Sequence, residues 1–452
     1  MIRTLLRASA IAFAALCFSL PSMAQGFIRD AEIEAILREY TDPILEAAGL
    51  IPEDVGLYII GDPSLNAFVA GGQRIHLNTG LIIRAETPGQ LKGVIAHETG
   101  HISGAHGARR ASDLAQASRS GYLSIGLGII AIAAGAPELG AALIANSQQL
   151  TALSFFTHTR AQESSADQAA ITFIERTGES PAGIVEFFEE FRYQEVLSQA
   201  RRFEYFRTHP LASDRIRSLR ARAEETGLMD VPPSERSVRQ MEIMHAKLIG
   251  FLEPPVVVYQ RYPDTDVSEP ARYARAISAL QSIDLPRAIS EIDALLEIDP
   301  ENPYYHELKG QILFEFGKID ESVEPNRMAV ELAPDQPLLM ISYARSMIAR
   351  GGEGDVEQGE TLLRRSIIAE PENAFAWSEL AKAMDKQGRR YEAQLATAER
   401  SFHVGDYVGA NSFAQRAMQG LEPTSPLMRR AQDIAAVTDP RLPENSRYYR
   451  RR

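Results

Sequence analysis

The 452-residue sequence contains a single cysteine, Cys17, which lies in an N-terminal stretch that we expect to be removed. The mature chain would then form no disulfide bond and offer no thiolate to a metal ion. Basic side chains are also fewer than acidic ones. The sequence has 47 basic and 60 acidic residues, which gives a net charge of −13. Phosphates would repel such a chain, so we expect no nucleic acid among its partners.

A long apolar segment is missing as well. The least polar internal stretch, residues 122–145, is interrupted by Gly126, Gly128 and Gly135. A helix that spans a bilayer needs about 20 consecutive apolar residues, so we do not expect this stretch to cross a membrane. It can form a buried helical hairpin, a lid over a cleft or a contact with a membrane surface, and the sequence leaves these alternatives open.

The N-terminus has the features of a secretory signal peptide. Two arginines precede an apolar run over residues 8–20, and small residues stand at the cleavage positions, Ser22 and Ala24. We therefore expect residues 1–24 to be removed, the mature chain to begin at Gln25 and the protein to be exported.

Helix-start signals precede a segment with two histidines. Thr87 can cap a helix, Pro88 suits its first position, and Gln90 completes a capping box. The helix should continue through His97-Glu98-Thr99-Gly100-His101. Because four residues make slightly more than one turn, His97 and His101 project from the same side of it.

Two imidazoles one turn apart can bind one metal ion, and Glu98 is then placed to take a proton from a water molecule at the open position. This HExxH pattern occurs in zinc peptidases, although it also arises by chance. His106 is a poor third ligand, because a single residue, Ala105, separates it from Gly104 where the HExxHxxGxxH pattern has two.

Glu163 is the better third ligand. The segment Arg160–Asp167 is typical of a helix, and Asp167 lies one turn beyond Glu163 on the same face. Asp167 can accept a hydrogen bond from a ligand imidazole and hold its tautomer. An exposed charged turn is the plain alternative, which the preceding HExxH motif disfavours. We predict one Zn²⁺ per chain, held by His97, His101 and Glu163.

A helix is expected over residues 27–49, followed by three short strands, Val55–Ile60, Ala67–Ala70 and Arg74–Leu77. A strand at the edge of a sheet can pair its backbone with an extended substrate and hold it over a metal ion. An ordinary hairpin is the alternative. The candidate substrate-binding residues are Asn66, Ala67, Phe68 and Ile75.

The C-terminal half contains a repeat. Pro300 and Pro334 close similar tripeptides 34 residues apart, and Pro371 follows after 37. This period is typical of tetratricopeptide (TPR) units, helix pairs that stack on one another and form a concave surface for protein partners. A scaffold without a partner is the alternative. We expect a linker over 253–267, repeats over 268–436 and a disordered tail over 437–452.

Three motifs together resemble the peptidase family of HtpX and the CaaX prenyl proteases. They are His97-Glu98-Thr99-Gly100-His101, the Arg160–Asp167 segment, and His209-Pro210 with Arg215 five residues after the proline. The repeats resemble those of its soluble BepA-like branch. The resemblance implies an α+β zincin-like metallopeptidase domain, mainly helical with a small sheet, over residues 25–252, followed by an all-α TPR solenoid.

The resemblance also implies a periplasmic endopeptidase that hydrolyses misfolded or stalled outer-membrane proteins, with repeats that recruit substrate or the outer-membrane assembly machinery. His209 should lie on a loop, because Pro210 stops a helix. The resemblance implies that His209 contacts the zinc or the oxyanion. As a fourth ligand that blocks water, it would keep the site latent. A histidine that only makes a local hydrogen bond is the alternative. Asp167 and Arg160 are implied to support the ligands. A chaperone or scaffold with a latent site, and peripheral membrane contact, stay open.

Overall fold

The computed structural model describes residues 26–105, 147–197 and 213–441, together with residues 123, 125, 127 and 209. These residues are mainly helical, with one small sheet near the N-terminal end, which confirms the predicted fold class. They pack into two compact units. The first comprises the chain up to Arg29 with Arg38–Ser237, and the second Asp30–Leu37 with Val238–Arg452. The predicted domain limits stay a prediction.

Some expectations fall outside the described residues. The signal-peptide segment 1–24, most of the apolar stretch 122–145, and the tail from residue 442 are among them. Within the part of the chain that the structure describes, no helix combines the length and the apolar character needed to cross a membrane.

The first unit contains a four-stranded sheet. Its strands are β1 (Phe27–Ile28), β2 (Gly56–Ile60), β3 (Ala67–Val69) and β4 (Arg74–Asn78), and they lie side by side in the order β1, β2, β4, β3. β2 and β4 run parallel, and the other two neighbouring pairs run antiparallel. The prediction of a helix from residue 27 is wrong for β1, because pairing with β2 holds these residues extended; helix α1 (Ala31–Ala47) begins after them.

β4 lies inside the sheet. Ile75 is in register with one residue of β2 and one of β3, and its side chain is fully buried. The expectation that Arg74–Leu77 forms a substrate-binding edge is therefore wrong, because neighbouring strands use both backbone edges of β4. Among the described strands, β3 keeps one side without a strand partner. Asn66, Ala67 and Phe68 thus remain candidates for substrate binding.

After the short helix α2 (Thr79–Arg84), helix α3 (Pro88–Ser103) carries the histidine motif. Its predicted start is confirmed. Oγ1 of Thr87 accepts a hydrogen bond from the backbone N–H of Gln90 at 3.3 Å, which satisfies a donor that a helix start leaves without a partner. The Gln90 side chain accepts a hydrogen bond from the backbone N–H of Glu86 at 2.8 Å, one residue before the expected capping-box donor.

Two glycines let other helices approach α3 closely. Helices α4 (Ser147–Thr177) and α5 (Ala182–Leu197) both pack on α3, and α6 (Ser213–Glu225) packs on α4 and α5. A Cβ atom at Gly100 would lie 2.8 Å from the carbonyl oxygen of Ala166 in α4, and one at Gly93 would lie 2.6 Å from Cβ of Ile184 in α5. Any larger residue would push the helices apart.

Gly100→Ala should therefore destabilise the first unit by about 1–3 kcal/mol, because the added methyl group overpacks the crossing of α3 and α4. Thermal unfolding followed by circular dichroism measures the change. Gly26→Ala is the matched control, since a Cβ atom at Gly26 would meet no atom within 4 Å. Equal unfolding midpoints for Gly100→Ala and the parent would contradict the close contact.

The rest of the chain is helical. The predicted linker 253–267 contains a helix that begins at Pro255, a position where proline is favourable. The helices are α7 (Glu235–Leu252), α8 (Pro255–Arg261), α9 (Glu269–Gln281), α10 (Leu285–Ile298), α11 (Pro303–Glu315), α12 (Ile319–Leu332), α13 (Pro337–Arg350), α14 (Asp355–Ala369), α15 (Ala374–Lys386), α16 (Arg390–His403), α17 (Tyr407–Met418) and α18 (Pro426–Val437).

Helices α9 to α18 form five consecutive pairs. The first helices of successive pairs begin 34, 34, 37 and 33 residues apart. Pro300, Pro334 and Pro371 are each the second residue after the second helix of the first three pairs. The predicted repeat period is therefore confirmed, and the longer third spacing falls where a glycine-rich turn joins α13 to α14.

The turn between α9 and α10 contains a strained residue. Ile283 has a φ of 60°, whereas the corresponding turns of the next three pairs place Gly317, Gly351 and Gly388 at positive φ. An L-residue in this left-handed conformation is destabilised by about 1–2 kcal/mol, and a β-branched one is rarer still. The side chain is 81% exposed, so burial does not compensate.

Ile283→Gly should stabilise the second unit by about 1 kcal/mol, because glycine adopts the left-handed conformation without strain. Urea unfolding of the whole chain measures the shift. Ile298→Gly is the control, since Ile298 is an exposed residue at the end of α10, and glycine there should destabilise the helix by up to about 1 kcal/mol. A loss of stability in Ile283→Gly would count against the strain.

Candidate metal centre

Helix α3 presents two imidazoles to one point. His97 and His101 lie one turn apart, and their Nε2 atoms are separated by 3.1 Å. His97 is fully buried, and the side chain of His101 is 11% exposed. Two ring nitrogens at this distance can share one proton at most, so at least one of them offers a lone pair.

Glu163 and His209 complete the cluster. Oε2 of Glu163 lies 3.4 Å from Nε2 of His97, and Oε1 lies 3.5 Å from Nε2 of His101. Nδ1 of His209 lies 3.0 Å from Oε2 of Glu163 and 3.2 Å from Nε2 of His97. Four side chains thus converge, with one possible ligand atom from each within 4.8 Å of the other three.

These separations fit a metal ion. Donor atoms about 2.1 Å from a tetrahedral ion are about 3.4 Å apart, and the five separations among these side chains lie between 3.0 and 3.5 Å. Within the described ranges, no other group of three or more histidine, cysteine or acidic side chains is close enough to bind a metal.

Asp167 and Arg215 hold the candidate ligands in place. Nδ1 of His97 lies 2.9 Å from Oδ1 of Asp167, so Nε2 faces the cluster. Arg215 donates a hydrogen bond through Nη2 to the same Oδ1 at 2.9 Å, and its Nη1 lies 3.1 Å from Oε2 of Glu163. Its guanidinium also lies over the ring of buried Phe188, which meets the His97 ring edge-on. Such supporting contacts set the tautomer and orientation of a ligand.

Glu98 lies beside the cluster without a hydrogen bond of its own. It is 1% exposed, and neither carboxylate oxygen has a hydrogen-bond partner among the described residues. Oε1 lies 3.6 Å from Nε2 of His209. Burial raises the pKa of Glu98, although His209 and His97 act to lower it. Because buried carboxylates almost always find partners, this one has the character of a reactive group.

The buried charges also shift one another's pKa values. Burial lowers the pKa of His97, but Asp167 and Glu163 outweigh it and raise that pKa to about 9. Burial opposes ionisation of Glu163, yet His209 and His97 hold its pKa well below the usual range. Asp167 behaves likewise, because Arg215 and His97 outweigh its burial and lower its pKa. Both acids are therefore ionised at neutral pH, where a metal cation would displace the proton of His97.

Comparison with known proteins agrees with this geometry. Residues 28–223 match the model of Peptidase family M48, and residues 273–337 match a tetratricopeptide repeat model. Residues 28–223 thus have the sequence of a peptidase family M48 domain. This part of the chain is thus a metallopeptidase domain, and the resemblance indicated by the sequence motifs is confirmed.

Several relatives span both parts of the chain. The Beta-barrel assembly-enhancing protease of Escherichia coli (strain K12) is 25% identical over 349 residues, covering 76% of this chain and 70% of the relative. That of Yersinia pestis is 23% identical with the same coverage. The Putative beta-barrel assembly-enhancing protease of Vibrio cholerae serotype O1 is 23% identical over 402 residues, covering 86% of this chain and 81% of the relative.

The M48 domain brings most of the predicted site residues together. Among the predicted ligands and supporting residues Arg160 is the exception, because it is exposed and forms no hydrogen bond or ion pair with a described residue of the cluster. Glu163 and Asp167 already pair with Arg215, so a second buried cation would lack a partner. Arg215 belongs to the His209-Pro210 motif, and its spacing after His209 is the only sequence signal of its place in the site. The residues that meet are His97, Glu98, His101, Glu163, Asp167 and His209.

Asp167→Asn should weaken metal binding about 10- to 100-fold, because the uncharged amide supports His97 less well. Competition with a chromophoric chelator, using protein first freed of metal, measures the affinity. Asp214→Asn is the matched control, since Asp214 is exposed and pairs with the exposed Arg217. Equal affinities for Asp167→Asn and the parent would contradict the supporting role of Asp167.

Proposed function

We propose that the chain is a periplasmic zinc endopeptidase that hydrolyses misfolded or stalled outer-membrane proteins. The observation that carries this proposal is the placement of Glu98, a buried carboxylate without a hydrogen bond beside four converging donor atoms. The M48 family match and the relatives named beta-barrel assembly-enhancing proteases support it.

The donor set favours zinc. Imidazole nitrogen and carboxylate oxygen are typical zinc ligands, and catalytic sites commonly use three protein ligands. His97, His101 and Glu163 would hold one ion per chain. When bound, zinc supplies Lewis-acid polarisation of the peptide carbonyl and activation of water.

The protein side chains would then move the proton and hold the substrate. Glu98 would take the proton from the attacking water and deliver it to the leaving amine. Its raised pKa suits this second task. His209 would steady the oxyanion. Asn66, Ala67 and Phe68 would hold an extended substrate along the free edge of β3.

The position of His209 also supports a second candidate function. Its Nδ1 lies among the predicted ligands, 3.2 Å from Nε2 of His97. As a fourth ligand it would exclude the attacking water and keep the peptidase latent. The repeats would then perform the main task, and the protein would act as a chaperone or assembly scaffold until His209 leaves.

The proposal includes export and recruitment. Residues 1–24 would be cleaved as a signal peptide, the peptidase domain would occupy 25–252, and the repeats over 268–436 would bind substrate or the outer-membrane assembly machinery through a concave surface. Residues 122–145 would serve as a lid, as buried structure or as a peripheral membrane contact. The acidic net charge of −13 disfavours nucleic acid as a partner.

Residues 25–452 should cleave casein or an unfolded outer-membrane protein, and Glu98→Gln should slow cleavage by at least about 10²-fold, because it removes the proton acceptor. Time courses on gels and zinc content of the same samples measure both effects. A chelator should stop cleavage, and added zinc should restore it. Cleavage by Glu98→Gln at the parent rate would contradict the role of Glu98.

If the parent binds one zinc but does not cleave, the His209→Ala variant distinguishes the two candidate functions. His209→Ala should then release activity, since the side chain that excludes water is gone. Continued inactivity of a zinc-loaded His209→Ala variant would favour the chaperone or scaffold.

A further inference from the structure

The outer face of the sheet carries a ladder of stacked rings, which we define as Tyr58, His76 and Phe68. These residues are in direct register on β2, β4 and β3. The rings of Phe68 and His76 have centroids 4.8 Å apart and are nearly parallel, with 6° between their planes. Those of His76 and Tyr58 are 5.2 Å apart at 17°. Phe27 extends the row beyond Tyr58 at 5.4 Å.

The ladder lies on the accessible face of the sheet. The residues that alternate with it, Ala67, Ile75 and Leu77, are fully buried, whereas all three ladder residues are half-buried. Burial lowers the pKa of His76, so its ring is neutral at pH 7 and stacks as an uncharged aromatic. The row ends at Phe68, on the strand whose outer side has no strand partner among the described residues.

We propose that this ladder is a specificity subsite, in which Phe68 stacks on an aromatic side chain of a bound polypeptide. The inference rests on the proposed function, since it needs a substrate strand on β3. The occupant is an extended segment of unfolded protein with an aromatic residue at the position opposite Phe68.

The occupant follows from strand geometry. Residues directly opposite on neighbouring strands place their Cβ atoms about 4.5–5.5 Å apart on the same face of a sheet. A strand added to the free edge of β3 would therefore set one side chain beside Phe68, as Phe68 is set beside His76. Because side chains alternate along a strand, every second substrate residue would lie on this face. Helix α3 packs on β3 and β4, so the remaining substrate residues lie toward the side of the fold that holds α3.

The subsite would select substrates without taking part in the chemistry. Stacked rings attract one another more than an aliphatic residue of similar size does, which corresponds to a preference of about three- to tenfold. Strands of outer-membrane barrels alternate apolar and polar residues and carry aromatic girdles near both membrane surfaces. Unfolded segments of such strands therefore contain aromatic residues that can lie opposite Phe68.

Binding of two fluorescent peptides to full-length mature Glu98→Gln tests the proposal. One peptide alternates threonine with phenylalanine, and the other alternates threonine with leucine. Fluorescence anisotropy should show about three- to tenfold tighter binding of the phenylalanine peptide. Adding Phe68→Leu should remove the difference, whereas Phe68→Tyr should keep it.

Phe27→Leu is the matched control, because Phe27 lies at the opposite end of the row and is 61% exposed. It should keep the preference for phenylalanine. Circular dichroism of each variant confirms that the sheet is folded. Equal binding of the two peptides, or a preference that survives Phe68→Leu, would overturn the proposal.

Cleavage of the same peptides by the parent separates this inference from the proposed function. Cleavage without an aromatic preference would overturn the subsite and leave the peptidase intact. Aromatic-selective binding that depends on Phe68 but brings no cleavage would support the subsite and count against the peptidase. If the peptides are neither bound nor cleaved, both the subsite and the proposed peptidase function are overturned.

Discussion

The contact between α3 and α4 at Gly100 is the constraint on which the metal centre depends. The carbonyl oxygen of Ala166 occupies the space that a Cβ atom at Gly100 would need. On α3 this glycine stands between His97 and His101, and on α4 Ala166 stands between Glu163 and Asp167. The crossing point of the helices is therefore the centre of the ligand set. A wider crossing would move the carboxylates out of reach of the imidazoles, whose contacts with them span only 2.9 to 3.5 Å.

Burial of charge makes the parts of the site interdependent. Glu163 and Asp167 are ionised in a dry environment because Arg215 contacts both and His97 lies between them. Loss of one partner in such a group leaves a buried charge without compensation, a change that destabilises proteins by about 3–5 kcal/mol. Glu98 is the member without a hydrogen bond. The same burial that raises its pKa makes it suitable for proton transfer.

Both faces of the sheet have a part in the site. Its buried face packs against α3 and so positions the ligand helix relative to β3. Its accessible face carries the stacked rings of Tyr58, His76 and Phe68. A substrate strand paired with β3 would extend the sheet. Its side chains would then lie alternately on the buried face and on the accessible face. Metal binding, substrate pairing and side-chain selection would thus be linked through one strand of three residues.

Local sequence determined the elements with strong short-range signals. The Thr87 cap and Pro88 start α3 where expected, the four-residue spacing of His97 and His101 puts both on one face, and the proline period marks the helix pairs. These features depend on contacts within a few turns, so the residues concerned encode them directly. The motifs were also specific enough to indicate the peptidase family and to single out Glu163, which lies beside both histidines.

Only the tertiary structure decided which distant residues meet. The two-residue strand β1, the interior place of β4, the contact of His209 with the ligands and the role of Arg215 in place of Arg160 all depend on packing between segments far apart in sequence. A short strand or a single charged side chain carries almost no local signal of its partner. Its position is set by which backbone edges and buried charges remain to be paired, and these are known only once the whole fold is assembled.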